Sequence, residues 1–304
     1  MTSPGPDDAG RDFLGYGANP PDPRWPGGAR VAVSFVVNVE EGAELSLVDG
    51  DERNEAVYEV TDEVQGAPDP CRDSHFEYGT RVGYWRIMRL LDGHGARSTL
   101  NACGRAVARS PWLARDAAGR GHEVACHGWR WERHAGMPED VERAAIARAA
   151  AAIQAATGAP PAGWHTRSAP SANTRRLLLE HGGFLYDSDA YSDDLPFFVS
   201  VDGRRHLVLP YSFDTNDMHF HQGMQRFTTA AHFAEYVNDA FDQLWKEGGR
   251  MLSVGLHLRM IGRAGRIAGL ERVLRHMQDR GGAWLARRDE IAQHWRMRFP
   301  GRDG

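Results

Sequence analysis

Two neighbouring carboxylates, Glu40 and Glu41, stand immediately after an unbroken apolar run at 30–39, RVAVSFVVNV. A carboxylate pair at the end of a buried segment is costly unless an arginine or a metal holds it ionised, so the pair reads as functional. Further polar groups recur where later apolar runs stop: Asn101, His127, His165 with Arg167, Asp187 and Asp189, Asp214 with Asn216 and Asp217, and His257. Such groups equip a site for hydrolysis, with a base to activate water, a cation for the developing oxyanion and an acid for the leaving atom. None is diagnostic alone, because an acid or histidine at a strand end often caps a helix or a loop. Their recurrence at successive segment ends carries the argument.

These groups meet only if the chain brings the segment ends to one rim. The runs at 30–39, 96–101, 122–126, 162–166, 184–186, 207–211, 251–256 and 283–286 read as strands. Helical stripes alternate with them: Val82, Trp85, Met88 and Leu91; an Ala-rich helix over 138–157; Phe233, Val237, Phe241 and Leu244; and Ile267, Leu270, Leu274 and Met277. A short helix opens at Pro111, Ser171 reads as the cap of another, and Asp289 as the cap of the last. The stretch 43–75 has no clear period and reads as a long loop with short elements. Seven or eight strands alternating with helices over about 260 residues predict a single-domain α/β fold, a distorted and incomplete (β/α) barrel. In barrels of this kind the chemistry lies past the C-terminal strand ends. An irregular, proline-rich arm at 1–29 precedes the barrel at 30–296, and a tail at 297–304 follows it.

Composition narrows the function classes. The formal net charge is −5 and the arginines are scattered, which argues against nucleic acid as a partner. No apolar run reaches the roughly 18 residues of a membrane helix, and the N-terminus is polar and acidic, so a cytoplasmic enzyme with no membrane partner is expected. Cys71, Cys103 and Cys126 are an odd set without C-x-x-C spacing; each reads as a reduced, buried small hydrophobe. There is no G-x-S-x-G elbow, and IGRAGR at 261–266 reads as a surface turn rather than a phosphate loop. Covalent catalysis is therefore disfavoured.

Seven blocks occur in order: FVVNVEEG (35–42), HEVACHGWRW (122–131), GWHTRS (163–168), NTRRLL (173–178), GFLYDSDAYSDDLP (183–196), DTNDM (214–218) and SVGLHLR (253–259). Together they resemble the allantoinase branch of the polysaccharide deacetylase, or NodB-homology, superfamily. The resemblance spans nearly the whole chain and implies a distorted (β/α)7 barrel that hydrolyses a C–N bond in a cyclic amide, such as (S)-allantoin opened to allantoate. Metal-dependent members carry an Asp-Asp pair and a His-x-x-x-His motif. By position Glu40 matches the base, Glu41 the metal-binding Asp and His127 the first His, while Trp131 stands at the second His and cannot coordinate. Two ligands fall short of the roughly three that a hydrolytic zinc site needs. The branch works without an essential metal, so no cofactor is expected; were zinc held, His134 would have to join Glu41 and His127.

The same resemblance matches His257 to the family's Leu-x-His near the last strands and makes it the acid. His127 would orient water or substrate. Arg130 or Arg167 would bind the oxyanion or ureide oxygens, with Glu41, Trp131, His165 and Asp214 also against the substrate. The segment His165-Thr166-Arg167-Ser168 departs from the branch's Tyr-Thr-Gly-Arg by moving the arginine one position, which points to a related cyclic ureide or imide as another possible substrate. Asp187, Asp189, Asp193 and Asp194 read as turn and cap residues. The expected partner is a small-molecule substrate, and the family's habit implies a homo-oligomer with the arm as a candidate contact. N-deacetylation of an amino sugar, or a barrel that binds a small ligand without turnover, are the competing readings. In each case the carboxylates around the mouth must be offset by Arg130, Arg167 or a bound cation.

Overall fold

The computed structural model describes residues 11–57, 62–221 and 226–301; residues 1–10 of the expected arm and 302–304 of the tail lie outside the described residues. The run at 30–39 becomes β1 (Val31–Val39), buried at every position. Its burial follows from its place in the sheet: β8 (Arg250–His257) pairs along one edge, while β9 (Ala283–Leu285) and β2 (Ser98–Ala102) share the other. In chain order β1 is followed by α1 (Pro70–Tyr78), a π-turn (Gly79–Gly83), α2 (Tyr84–Gly93), β2, α3 (Gly104–Arg109), α4 (Pro111–Gly119), β3 (Glu123–Cys126), α5 (Glu139–Thr157) and β4 (Gly163–Trp164). Then come α6 (Thr174–His181), β5 (Tyr186–Asp187), β6 (Phe197–Val201), β7 (Arg204–Val208), α7 (Ala230–Glu247), β8, α8 (Ile267–Arg280), β9 and α9 (Arg288–Arg298).

The sheet runs β6-β7-β5-β4-β3-β2-β1-β8, parallel except for the β6–β7 hairpin. It curls without closing: between β8 and the chain that follows β7 the strand-like pairing is an isolated bridge of Asn216 with Gly255. The single-domain, incomplete α/β barrel expected from the alternation is borne out. In the β1–β8 ladder Asn38 lies opposite His257, so the strands deliver Glu40 and Arg259, each two residues further on, to the same rim.

Several local expectations are corrected. Helix α1 begins inside the stretch read as loop; Pro70 opens it and the Asp69 carboxylate accepts from the Arg72 N–H, but only Arg72 and Phe76 are buried, too few to show a period. The buried face of α2 is Tyr84, Ile87, Met88 and Leu91; Val82 lies in the π-turn, whose extra residue rotates the face away from the expected stripe. The antiparallel β6 was not anticipated, although Asp202 and Gly203, with φ of 49° and 76°, supply the positive-φ pair such a two-residue turn requires. Helix α9 follows Arg287, whose N–H donates to the Glu290 carboxylate at 2.9 Å, with Asp289 inside its first turn. Helix α6 starts after Asn173, and the Ser171 hydroxyl accepts from the Asn173 N–H instead of capping the helix. Cys71 is exposed, and Ile261 is fully buried, so the segment after β8 is not a surface turn throughout.

Candidate active site

The rim above β1, β3, β4 and β8 gathers Glu40, Glu41, His127, His165 and His257, none more than 4% exposed. The Glu40 carboxylate is central. Its Oε1 lies 3.6 Å from His127 Nε2 and 3.5 Å from His257 Nε2, and its Oε2 accepts from Arg259 Nη1 at 2.7 Å. The Arg259 Nη1 also reaches Glu41 Oε1 at 3.5 Å, and Glu41 Oε2 accepts from the Glu40 N–H at 3.0 Å. A Cβ at Gly79 would stand 2.4 Å from Glu41 Oε1, so the π-turn must carry glycine there for Glu41 to fit. Gly83, in the same turn, packs its backbone against the Leu258 carbonyl and so braces the chain leading into Arg259.

Each imidazole is oriented from behind. His257 Nδ1 donates to Asp217 Oδ1 at 2.6 Å, while Asp217 Oδ2 accepts from the backbone N–H groups of His257 and Ile261 at 2.7 and 3.0 Å. His127 Nδ1 donates to the His165 carbonyl at 2.7 Å, which orients its Nε2 toward Glu40. His165 Nδ1 donates to Asp189 Oδ1 at 3.0 Å, and its ring stacks on His127 with centroids 5.2 Å apart and planes within 11°. Asp189 further accepts from the Thr166 N–H and hydroxyl.

Burial and charge drive the key groups in opposite directions. For Glu40, burial favours the neutral acid, but Arg259, then His257, outweigh it and hold the carboxyl well below its ordinary range. For His257, burial disfavours the cation, yet Asp217 and then Glu40 prevail and raise it to about 9. Burial dominates at Glu41, which is pushed up to about 7 despite Arg259. At neutral pH the site therefore holds a carboxylate beside an imidazolium, the separation of acidities that assigns base and acid roles. Asp217 and Glu40 are offset by His257 and Arg259, not by Arg130 or Arg167.

The remaining expected residues lie elsewhere on the rim. Both Arg130 Nη atoms donate to the Asp51 carboxylate at 2.5 Å, pinning the loop after β1. Arg167 pairs with Glu55 at 3.0 Å, donates to the Trp131 carbonyl and lies over the Trp131 ring at 3.4 Å. Asp214 is exposed and accepts from the Tyr236 hydroxyl at 2.6 Å; its neighbour Asp217 is the one that reaches the site. His134 is buried in a separate network, with Nδ1 on Glu142 at 3.0 Å, where Glu142 also accepts from Ser171 and Thr174. Asp189 orients His165 and so is not the turn or cap residue it was read as; Asp187 accepts from the Asp189 N–H, as a turn residue does, and is bound by Arg175 and His206 as well, while Asp193 accepts from the Leu195 N–H within its turn. Arg259 and the role of Asp217 were missed, although Arg259 closes the SVGLHLR block two residues after His257.

The donor set does not fit a hydrolytic metal. Trp131 stands at the third ligand position, His134 is engaged by Glu142, and the Arg259 guanidinium already sits on both carboxylates. Among the described residues, no group of three or more histidine, cysteine or carboxylate side chains is arranged to hold one.

Comparison with known proteins finds relatives over nearly the whole chain. The polysaccharide deacetylase family model matches residues 68–183. A Schizosaccharomyces pombe (strain 972) protein described as a candidate polysaccharide deacetylase is 36% identical over 95% of this chain and 98% of its own length. A solved structure from Pseudomonas aeruginosa PAO1, described as a probable polysaccharide deacetylase, has a TM-score of 0.91 and 43% identity, covering 96% of this chain and 99% of its own. The solved Puue allantoinase also has a TM-score of 0.91 and 43% identity, over 96% of this chain and 98% of its own.

Proposed function

The chain belongs to the polysaccharide deacetylase family, and from that premise we propose that it is a hydrolase of a small cyclic amide, with (S)-allantoin opened to allantoate as the leading reaction. The buried relay Asp217–His257–Glu40 carries this reading: it presents an imidazolium and a carboxylate 3.5 Å apart in an enclosed site. Glu40 takes a proton from water as the oxygen adds to the ring carbonyl, and His257 delivers a proton to the departing ring nitrogen. The proton taken up at Glu40 and the one given by His257 balance over the cycle, with one water consumed. His127 orients the water from the other side of Glu40 Oε1.

Enclosure supports a small substrate over a polymer. Glu40, Glu41, His127 and His257 are 1%, 4%, 3% and 3% exposed. A cavity of about 270 Å³ between the loop after β1 and α1 is lined by Glu41 but by neither Glu40 nor the histidines, so it is the burial of the reacting groups that favours a small substrate. The likeness to an allantoinase structure supports the same substrate. The names carried by the yeast and Pseudomonas relatives favour a second reading, N-deacetylation of an amino sugar. No helix among the described residues is long and apolar enough to cross a membrane. A cytoplasmic homo-oligomer acting on a free small molecule is part of the proposal, checked by cell fractionation and light scattering.

The deciding experiment assays the purified protein, with and without chelator, on allantoin, hydantoin, succinimide, dihydropyrimidines and N-acetylglucosamine oligomers. Ring opening that survives chelation is expected. Turnover confined to the acetylated sugars would reverse the ranking. Stoichiometric bound zinc, with activity lost on chelation and regained with zinc, would defeat the metal-free mechanism.

A further inference from the structure

Two adjacent buried carboxylates require a cation, yet the ligand set for a metal is incomplete. We infer that Arg259 is the resident cation of this site, a positioning residue that stands where a metal would and holds Glu40 in place for water activation. The inference rests on the assignment of Glu40 as base.

Three independent features support it. The first is contact: one guanidinium nitrogen serves Glu40 Oε2 at 2.7 Å and Glu41 Oε1 at 3.5 Å, so a single cation meets both carboxylates, the one at the metal-binding position included. The second is the box around it. The guanidinium carbon lies 4.7 Å from the Phe76 ring and 5.2 Å from the Trp131 ring. Trp131 is the residue at the vanished ligand position, so the change that removes a metal ligand also supplies a wall for the replacement cation. A planar, weakly hydrated guanidinium suits such a box better than an ammonium does. The third is delivery. The β1–β8 ladder ends with Asn38 opposite His257, from which Glu40 and Arg259 follow onto the same rim, and the glycines of the π-turn make room for Glu41 at one end and pack against the chain before Arg259 at the other. Arg130 and Arg167 do not compete for this role, since Asp51 and Glu55 hold them.

A merely structural ion pair and a resident cation are separated by two measurements. The first is kcat/KM for allantoin in Arg259→Ala and Arg259→Lys, with and without added guanidinium ion. The Ala variant is expected to lose about 10²-fold or more, and guanidinium to restore about tenfold, more than ethylammonium does. The Lys variant, which keeps the charge and decides the matter if the Ala variant fails to fold, is expected to retain about a tenth of the activity or more. An Ala variant within about threefold of the native enzyme, or a folded Lys variant as inactive as a Glu40 knockout, would overturn the role. The second is zinc content after dialysis, which needs no substrate and so stays readable if allantoin proves not to be the substrate. Trp131→His alone is expected to take up no stoichiometric zinc, and Trp131→His with Arg259→Ala about one ion per chain. Stoichiometric zinc in the single variant would show that Arg259 does not occupy the metal's place. No zinc in a folded double variant would show that the place is not a metal's.

Discussion

Replacing Asp217 with Asn preserves its shape and removes one charge from behind His257. In the native site Asp217 takes the Nδ1 proton at 2.6 Å and is the largest influence raising His257 to about 9. The gap between the ordinary 6.5 and about 9, at about 1.4 kcal/mol per pH unit, amounts to about 3 kcal/mol in favour of the imidazolium. If the asparagine oxygen keeps the two backbone N–H groups, its amide NH2 points at Nδ1, which must then accept; the ring is held neutral and burial pulls its acidity below the ordinary value. At pH 7.5 the fraction able to donate falls from over nine-tenths to about a tenth or less, so kcat/KM drops at least about tenfold. The basic limb of kcat/KM against pH is expected to move from near 9 to below about 6.5. Stability gives a second check. A histidine raised on folding stabilises the protein fully below about 6.5 and loses that contribution as pH rises through about 9, so the native protein weakens across this window and the variant does not. A basic limb that stays near 9 in the variant would refute both the acid role of His257 and the part assigned to Asp217.

Glu40→Gln keeps the side chain's size and is expected to lower kcat by at least about 10²-fold, measured by steady-state kinetics; near-normal turnover removes Glu40 as base. Gly79→Ala forces a methyl to within 2.4 Å of Glu41 Oε1 and is expected to cost about 1–3 kcal/mol in denaturant unfolding together with activity. His134→Ala leaves the buried Glu142 short of a donor and is expected to cost about 2–4 kcal/mol while kcat, measured well below the melting temperature, stays within about twofold; a large kcat effect at unchanged stability would return His134 to the site. Arg130→Ala frees Asp51 and is expected to raise proteolytic cutting within 43–57, read by mass mapping, with no such change defeating the view that this pair pins the loop.

The strongest apolar runs were legible because their burial is written in their own residues: Val31–Val39 and Arg250–His257 appear almost as read. Elements whose burial depends on a partner were not. Helix α1 buries two residues and β6 is half-exposed, so neither leaves a period to find. At the site, Glu40, His127 and His257 were visible as residue types at strand ends, and the structure brings them together. Arg130 and Arg167 were read toward the substrate because an arginine's partner is set by which loop folds over it; Asp51 and Glu55 lie 79 and 112 residues away in sequence. Arg259 escaped notice because its place depends on register: knowing that Asn38 faces His257 would have paired it with Glu40 at once.

That dependence makes turnover a gauge of strand alignment. The side-chain period of a strand is two, so sliding β8 past β1 by one residue would bring Leu258 where Arg259 belongs and turn His257 to the opposite face. A chain trapped in that slip would keep its helices and much of its far-ultraviolet circular dichroism, yet hold Glu40 without a counter-ion and without an acid. In refolding experiments, recovered activity should therefore count correctly aligned molecules and lag behind recovered helicity by the share caught out of register.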